Sequence, residues 1–181
     1  KIMEVLCNYV QHNAPHGPSQ FSRADSYCAT YQRRPRIDVT TIIKVIGRRQ
    51  TEYDLDELNL SDSYLAGMNF VEGFFRGVYF SNSCLDSAVL VGVDMTKGHF
   101  MGASFKNAQL VNVYFERAYF HQTDFTGTNF VRCSLDQAIF LSAVGLNYGQ
   151  LNRCDNWHLA SYDELCRYGI PKDIYDSLND G

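Results

Sequence analysis

From residue 53 to residue 142 the large apolar side chains recur at an interval of five. The series runs Leu55, Leu60, Leu65, Phe70, Phe75, Phe80, Leu85, Leu90, Met95, Phe100, Phe105, Leu110, Phe115, Phe120, Phe125, Phe130, Leu135, Phe140, and holds only Leu, Phe and Met. Two positions before each of these the side chain is small, as at Ser63, Gly73, Ala88, Ala103, Thr123 and Ala138. Only Tyr53, Leu58 and Met68 depart from that rule. An interval of five fits neither an α-helix nor a flat strand, whose periods are 3.6 and 2. It requires a backbone that turns a corner every five residues, with one large and one small side chain directed inward.

Segments such as Ala103-Ser-Phe105, Thr123-Asp-Phe125 and Thr128-Asn-Phe130 carry the pattern most clearly. It resembles the pentapeptide-repeat family, whose consensus is A-(D/N)-(L/F)-x-x. The resemblance implies an all-β solenoid, a right-handed quadrilateral parallel β-helix with four repeats per coil. Eighteen repeats then give about four and a half coils and a height of roughly 20 Å at the spacing of parallel strands. A solenoid of this kind has ends that must be capped.

The flanks supply candidate caps, dividing the chain into a basic helical flank (1–52), the repeat solenoid (53–142) and a C-terminal helical cap (143–181). At the front, Ile2, Val5, Leu6, Tyr9 and Val10 share one helical face. Asp38 is the expected N-cap of a second helix whose Val39, Ile42, Ile43 and Ile46 repeat at helical spacing, and Gly47 is its expected C-cap. A strand is the alternative for the β-branched run Val39–Ile46. Behind the repeats, Tyr148–Arg153 reads as a helix start and Ser161 with Glu164 as a capping box. Pro171 then opens a last helix containing Ile174, Tyr175 and Leu178. The runs Ile2–Leu6, Tyr9-Val10, Asn13–Pro15, Asp38-Val39 and Val45–Arg49 are similar to a segment that precedes the repeats in many bacterial members of the family. Asn156-Trp157 and Ser161–Asp163 are similar to one that follows them.

A four-sided coil has a period of twenty, which sorts the outward residues into columns. Just after the centre of one face come Val71, Val91, Val111 and Val131, with Val89 beside them: a candidate protein-contact strip, or a β-branched ladder that favours stacked strands. A neighbouring face is expected to carry Tyr79, His99, Tyr119 and Ile139, with Met101, His121 and Leu141 following the centre. A third adds Phe74 and Tyr114, so that Tyr79, His99, Tyr119, Phe74 and Tyr114 form a candidate aromatic contact patch. The valine column could equally receive the chain's own helices.

Charge divides the chain: residues 1–50 hold eight Lys/Arg against three Asp/Glu, and 53–142 hold five against ten, so the front is +5 and the repeats −5. The two parts are expected to meet different neighbours. The six cysteines lack CxxC pairing and are expected to be reduced in a cytoplasmic protein. No stretch is long enough to span a membrane. The chain opens on Lys1, which reads as a fragment, so membrane association is expected only through an upstream segment.

No phosphate loop, metalloprotease motif or nucleophile elbow is present. Cys7, His12, His16 and Cys28 match no common zinc spacing, and His99 and His121 read as surface histidines. No catalytic residue, metal or cofactor is therefore expected. The reading is a non-catalytic protein-interaction or scaffolding module, its protein partner unknown, with a homodimer as one assembly and no direct nucleic-acid binding. The alternative, taken from the family resemblance, is a DNA-mimicking protein that binds gyrase or a related topoisomerase. The modest repeat charge and short stack weigh against it.

Overall fold

The structure, a computed structural model, describes residues 2–14, 37–48, 58–163 and 166–179. Tyr53, Leu55, Pro15, His16, Cys28 and Glu164 lie outside the described residues. Backbone pairing is parallel, and as far as Val144 each paired residue meets one twenty positions on. Asn59, Tyr79, His99, Tyr119 and Ile139 form one ladder; Tyr64, Cys84, Ser104, Asp124 and Val144 form the next. Strands β1 (Asn69–Val71), β2 (Val89–Val91), β3 (Gln109–Val111) and β4 (Asn129–Val131) make the third as a regular four-stranded sheet. Phe74, Asp94, Tyr114 and Ser134 make the fourth. The chain is a right-handed, four-sided parallel β-helix with short helical ends, the hand favoured by crossovers between parallel strands.

The period of five is the interior. All seventeen described centres, from Leu60 to Phe140, are buried, and so are the small residues two positions before them. Rings stack along the axis at one coil rise, with Phe100–Phe120 at 5.0 Å and Phe120–Phe140 at 4.8 Å. Hydroxyls at the small position pin the coil below. Thr123 Oγ1 donates to the Phe100 carbonyl and Thr128 Oγ1 to that of Phe105, each at 2.7 Å. Corners form at the residue two after each centre, which has positive φ at every turn from Asp62 to Ser142. Glycine accepts that conformation freely, other residues at a cost. Only five of these seventeen corners are glycine.

The front end is capped by helices α1 (Ile2–Asn13) and α2 (Ile37–Gly47), so the strand alternative for Val39–Ile46 does not hold. Their C-terminal carbonyls replace a missing coil. The Tyr64 N–H donates to the Ala14 carbonyl at 2.6 Å, and the Phe74 N–H to that of Gly47 at 2.8 Å. Sheet-edge donors and helix-end acceptors, each otherwise unpaired, satisfy one another. Val10, Val39, Ile43 and Ile46 are buried as expected, but α1 also turns Cys7 inward and leaves Ile2 and Val5 exposed. Asp38 lies inside the first turn of α2, not at its N-cap, and accepts a hydrogen bond from the Tyr9 hydroxyl. Gly47 is required by close approach: a Cβ there would sit 2.8 Å from the Phe75 ring.

At the other end the coil continues past Ser142. Val144 pairs with Asp124, Asp155 with Ser134, and β6 (Ser161–Tyr162) with β5 (Ile139–Phe140), with helix α3 (Tyr148–Leu151) inserted between. The Tyr162 ring stacks on Phe140 at 5.4 Å, closing the aromatic axis. Ser161 is therefore a strand residue and not a helix cap. The capping box of this region is Asn147 with Gln150, whose side chain also donates to the carbonyls of Phe125 and Thr128. Pro171 directly precedes α4 (Lys172–Asn179), and its carbonyl accepts from the N–H groups of Ile174 and Tyr175.

Candidate functional site

The outer columns are set by the same register, but nothing inside the coil dictates their chemistry. On the third face Val71, Val91, Val111 and Val131 pair in register, and Val89 lies beside Asn69 and Gln109. Val71 is 63% exposed although α2 packs near the end of β1; Val91, Val111 and Val131 are half-buried against one another.

The first face carries the column Tyr79, His99, Tyr119 and Ile139. It lies opposite the valine face, not beside it as the sequence reading has it. Two corners separate their centres, for example Phe70 from Phe80. The three rings form a stack, His99 lying 4.6 Å from Tyr79 and 5.1 Å from Tyr119 with planes within 5° of parallel. Met101, Tyr119 and Leu141 are exposed along this face at 47%, 46% and 42%. The stacking partners of His99 are thus the two tyrosines.

The fourth face places Phe74 and Tyr114 two coils apart with Asp94 between them. An open cleft of about 440 Å³ follows this face, lined by Glu72, Phe74, Arg76, Asp94, Tyr114 and Glu116. Of these six the sequence columns held only Phe74 and Tyr114, and not the short side chain of Asp94 that leaves a gap between their rings.

The second face differs: its outward Cys84, Ser104 and Asp124 are buried. Its polar groups are paired within the column. Ser104 Oγ and the Lys106 N–H both donate to Asp86 Oδ1, and Lys106 Nζ lies 3.3 Å from Asp124. Burial raises the Asp86 carboxyl above its ordinary value, against the lowering effect of those hydrogen bonds. Burial likewise raises the Tyr64 hydroxyl, assisted by Asp86. Near the C-terminal end, burial acts to raise Asp163, but the N–H groups of Ser142 and Cys166 outweigh it and hold the carboxyl below the usual range.

Cys7, Cys133, Cys154 and Cys166 are free thiols and buried, whereas Cys84 is disulfide-bonded, so the expectation of reduced cysteines fails there. Burial pushes Cys166 up to about 12, and the hydrogen bond with Cys133 followed by burial raises Cys154, so both stay protonated at neutral pH. Among the described residues no His, Cys, Asp and Glu group could hold a metal, and no helix is long and apolar enough to cross a membrane.

The family model for pentapeptide repeats matches eight copies over residues 59–96 and 99–140. No curated protein matches the chain significantly. Among solved structures, the chain is similar to the pentapeptide repeat protein Rfr23 of the cyanobacterium Cyanothece 51142, at 15% identity and TM-score 0.37, covering 67% of this chain and 76% of that one. A pentapeptide repeat protein of the Arabidopsis thaliana thylakoid lumen matches at 18% identity and TM-score 0.36, over 75% and 83% of the two chains. QnrB1, a plasmid-mediated fluoroquinolone resistance protein, matches at 12% identity and TM-score 0.27, over 68% and 84%. Residues 59–96 and 99–140, where the matched repeats coincide with the buried period of five, are pentapeptide repeats of the kind that this family model describes.

Proposed function

We propose that this chain is a non-catalytic protein-interaction module that presents preformed side-chain columns on a rigid solenoid. The observation that supports the reading best is the Tyr79–His99–Tyr119 stack on the first face, flanked by exposed Met101 and Leu141. Aromatic residues and Met are enriched at protein interfaces, and rigid aromatic anchors lose little conformational entropy on binding. Rings already fixed by stacking have less left to lose. The valine column on the opposite face offers a second, flatter surface, and two opposed faces suit a scaffold.

Pull-down from a lysate of the source organism tests the reading. A Met101→Ser/Tyr119→Ser variant is expected to lose a partner that the wild type captures while still unfolding cooperatively, its melting temperature lowered by only a few degrees. A Val91→Asp/Val111→Asp variant reports on the opposite face. If both variants fold and capture the same proteins as wild type, neither column is a docking surface. In a gyrase supercoiling assay the module is expected to give no protection at micromolar concentration; protection would favour DNA mimicry instead.

A further inference from the structure

The first and fourth faces differ by one ring. On the first face, His99 fills the place between Tyr79 and Tyr119 at 4.6 Å and 5.1 Å. On the fourth, the same ladder brings Phe74 and Tyr114 to alternate coils, and the place between them holds the short carboxylate of Asp94. Two coil rises separate the backbones that carry those rings by about 9–10 Å, the interval that one stacked ring spans between Tyr79 and Tyr119. Both walls are accessible, Phe74 at 49% and Tyr114 at 50%. The slot opens into the cleft of about 440 Å³, where Glu72 and Glu116 join Asp94. Three carboxylates face the one guanidinium of Arg76, giving the lining a formal charge of −2.

We propose that this slot receives an arginine side chain from a basic segment of a partner protein. The guanidinium would lie between Phe74 and Tyr114, completing the stack that His99 completes on the first face, with its charge against Asp94 and the flanking glutamates. A planar, weakly hydrated cation stacks on aromatic faces better than an ammonium, and carboxylates add the hydrogen-bond acceptors it needs. The chain's own Arg76 shows the chemistry in outline: it is 54% exposed and its Nη1 lies 3.3 Å from Asp94 Oδ2. Asp94 Oδ1 meanwhile accepts from the Thr96 N–H at 3.0 Å, which holds the carboxylate in place. This inference rests on the reading of the outer faces as interaction surfaces and supplies the partner chemistry for one of them.

The test is an NMR titration of the full chain with acetyl-Gly-Arg-Gly-amide, against the same peptide with lysine or with neutral, isosteric citrulline. Saturable shifts centred on Phe74 and Tyr114 are expected, weakened by about fivefold or more with citrulline and less with lysine. Asp94→Asn and Tyr114→Ser should each weaken binding by about fivefold, whereas Arg76→Gln, which removes an internal competitor, should strengthen it by about twofold. Tyr119→Ser on the first face should change nothing, and melting temperatures check that each variant folds. Equal binding of arginine and citrulline, no saturable shift at Tyr114, or weaker binding by Arg76→Gln would each overturn the proposal. If the peptide fails while the Met101/Tyr119 variant still loses its partner, the slot is wrong and the wider reading stands. If both fail, both are wrong.

Discussion

The inside and the outside of this coil are written in different periods. Inward positions repeat every five residues and admit little variation: Leu, Phe or Met at the centre, with Ser, Thr, Cys, Ala, Gly or Val two positions earlier from Gly73 onward. Outward positions repeat every twenty and differ from face to face. One carries valines, one a stacked Tyr-His-Tyr column, one a gap over Asp94, and one buried polar pairs. Packing fixes the first set, because every coil must stack on the next. The second set is free to answer to something outside the chain.

Neighbouring residues on either side of that divide give the sharpest contrast. Phe120 touches Phe100, Phe115, Phe125 and Phe140. Its truncation to Ala is expected to cost about 3–5 kcal/mol in denaturant unfolding. Tyr119, one residue away but outward, loses only a stacking contact, and Tyr119→Ala is expected to cost about 1 kcal/mol. Comparable losses at the two sites would break the division between interior and exterior.

The small inward position should also be costly in proportion to its hydrogen bonds. Thr128→Val keeps the shape but removes the donor to the Phe105 carbonyl, and a loss of about 1–2 kcal/mol is expected. Corners report backbone conformation instead of packing. Gly77 has φ +66° and open space around a would-be Cβ, so Gly77→Ala is expected to cost about 1 kcal/mol from conformation alone. A cost near zero would mean that this corner is not held in the left-handed region.

The smallest effect is electrostatic and lies on the second face. The native state holds the Asp86 proton more tightly than the unfolded chain does, because burial raises the carboxyl. Stability from this group is fully present below the ordinary carboxylate pKa and is lost as pH rises through the raised value. Asp86→Asn keeps the acceptor for Ser104 and Lys106 and removes that titration. Unfolding curves from acid to neutral pH are expected to lose this component of decline, with stability at pH 7 within about 1 kcal/mol of wild type. An unchanged pH dependence would place the titration elsewhere.

The same division explains what could be read from the sequence. The interior was legible because one rule repeats eighteen times, so single exceptions such as Leu58 and Met68 could not hide it. Both are buried in the first coil, where Thr40 Oγ1 of the helical cap lies 3.5 Å from Met68 Sδ. The valine and aromatic columns followed from counting by twenty, but the order of faces was misread because a column's position around the square depends on counting corners. The slot was hidden because it is defined by the ring that Asp94 does not supply. The continuation past Ser142 was missed because α3 and the turn at Trp157–Leu159 interrupt the interval of five while the backbone pairing resumes at Asp155 and Ser161. The front cap was mis-phased at Ile2 and Val5, which are exposed, because hydrophobicity marked a wider face of α1 than the packing against α2 buries at Val10 and Cys7. Corner positions carried a signal that was not used: Gly, Asn or Asp occupies Asp62, Gly67, Gly77, Asn82, Gly92, Gly102, Asn107, Asn112 and Gly127, residues that tolerate positive φ.

The central claim, that the outer columns are recognition surfaces carried by an indifferent interior, is tested most directly by site-specific photocrosslinking in lysate of the source organism. A photoreactive phenylalanine analogue replaces Tyr119 on the first face or, as a control, exposed Lys172 at the start of α4, outside every column. A discrete crosslinked partner is expected from position 119 and none from position 172. Identical crosslinking from the two positions, or none from position 119 in a chain that melts like wild type, would contradict it.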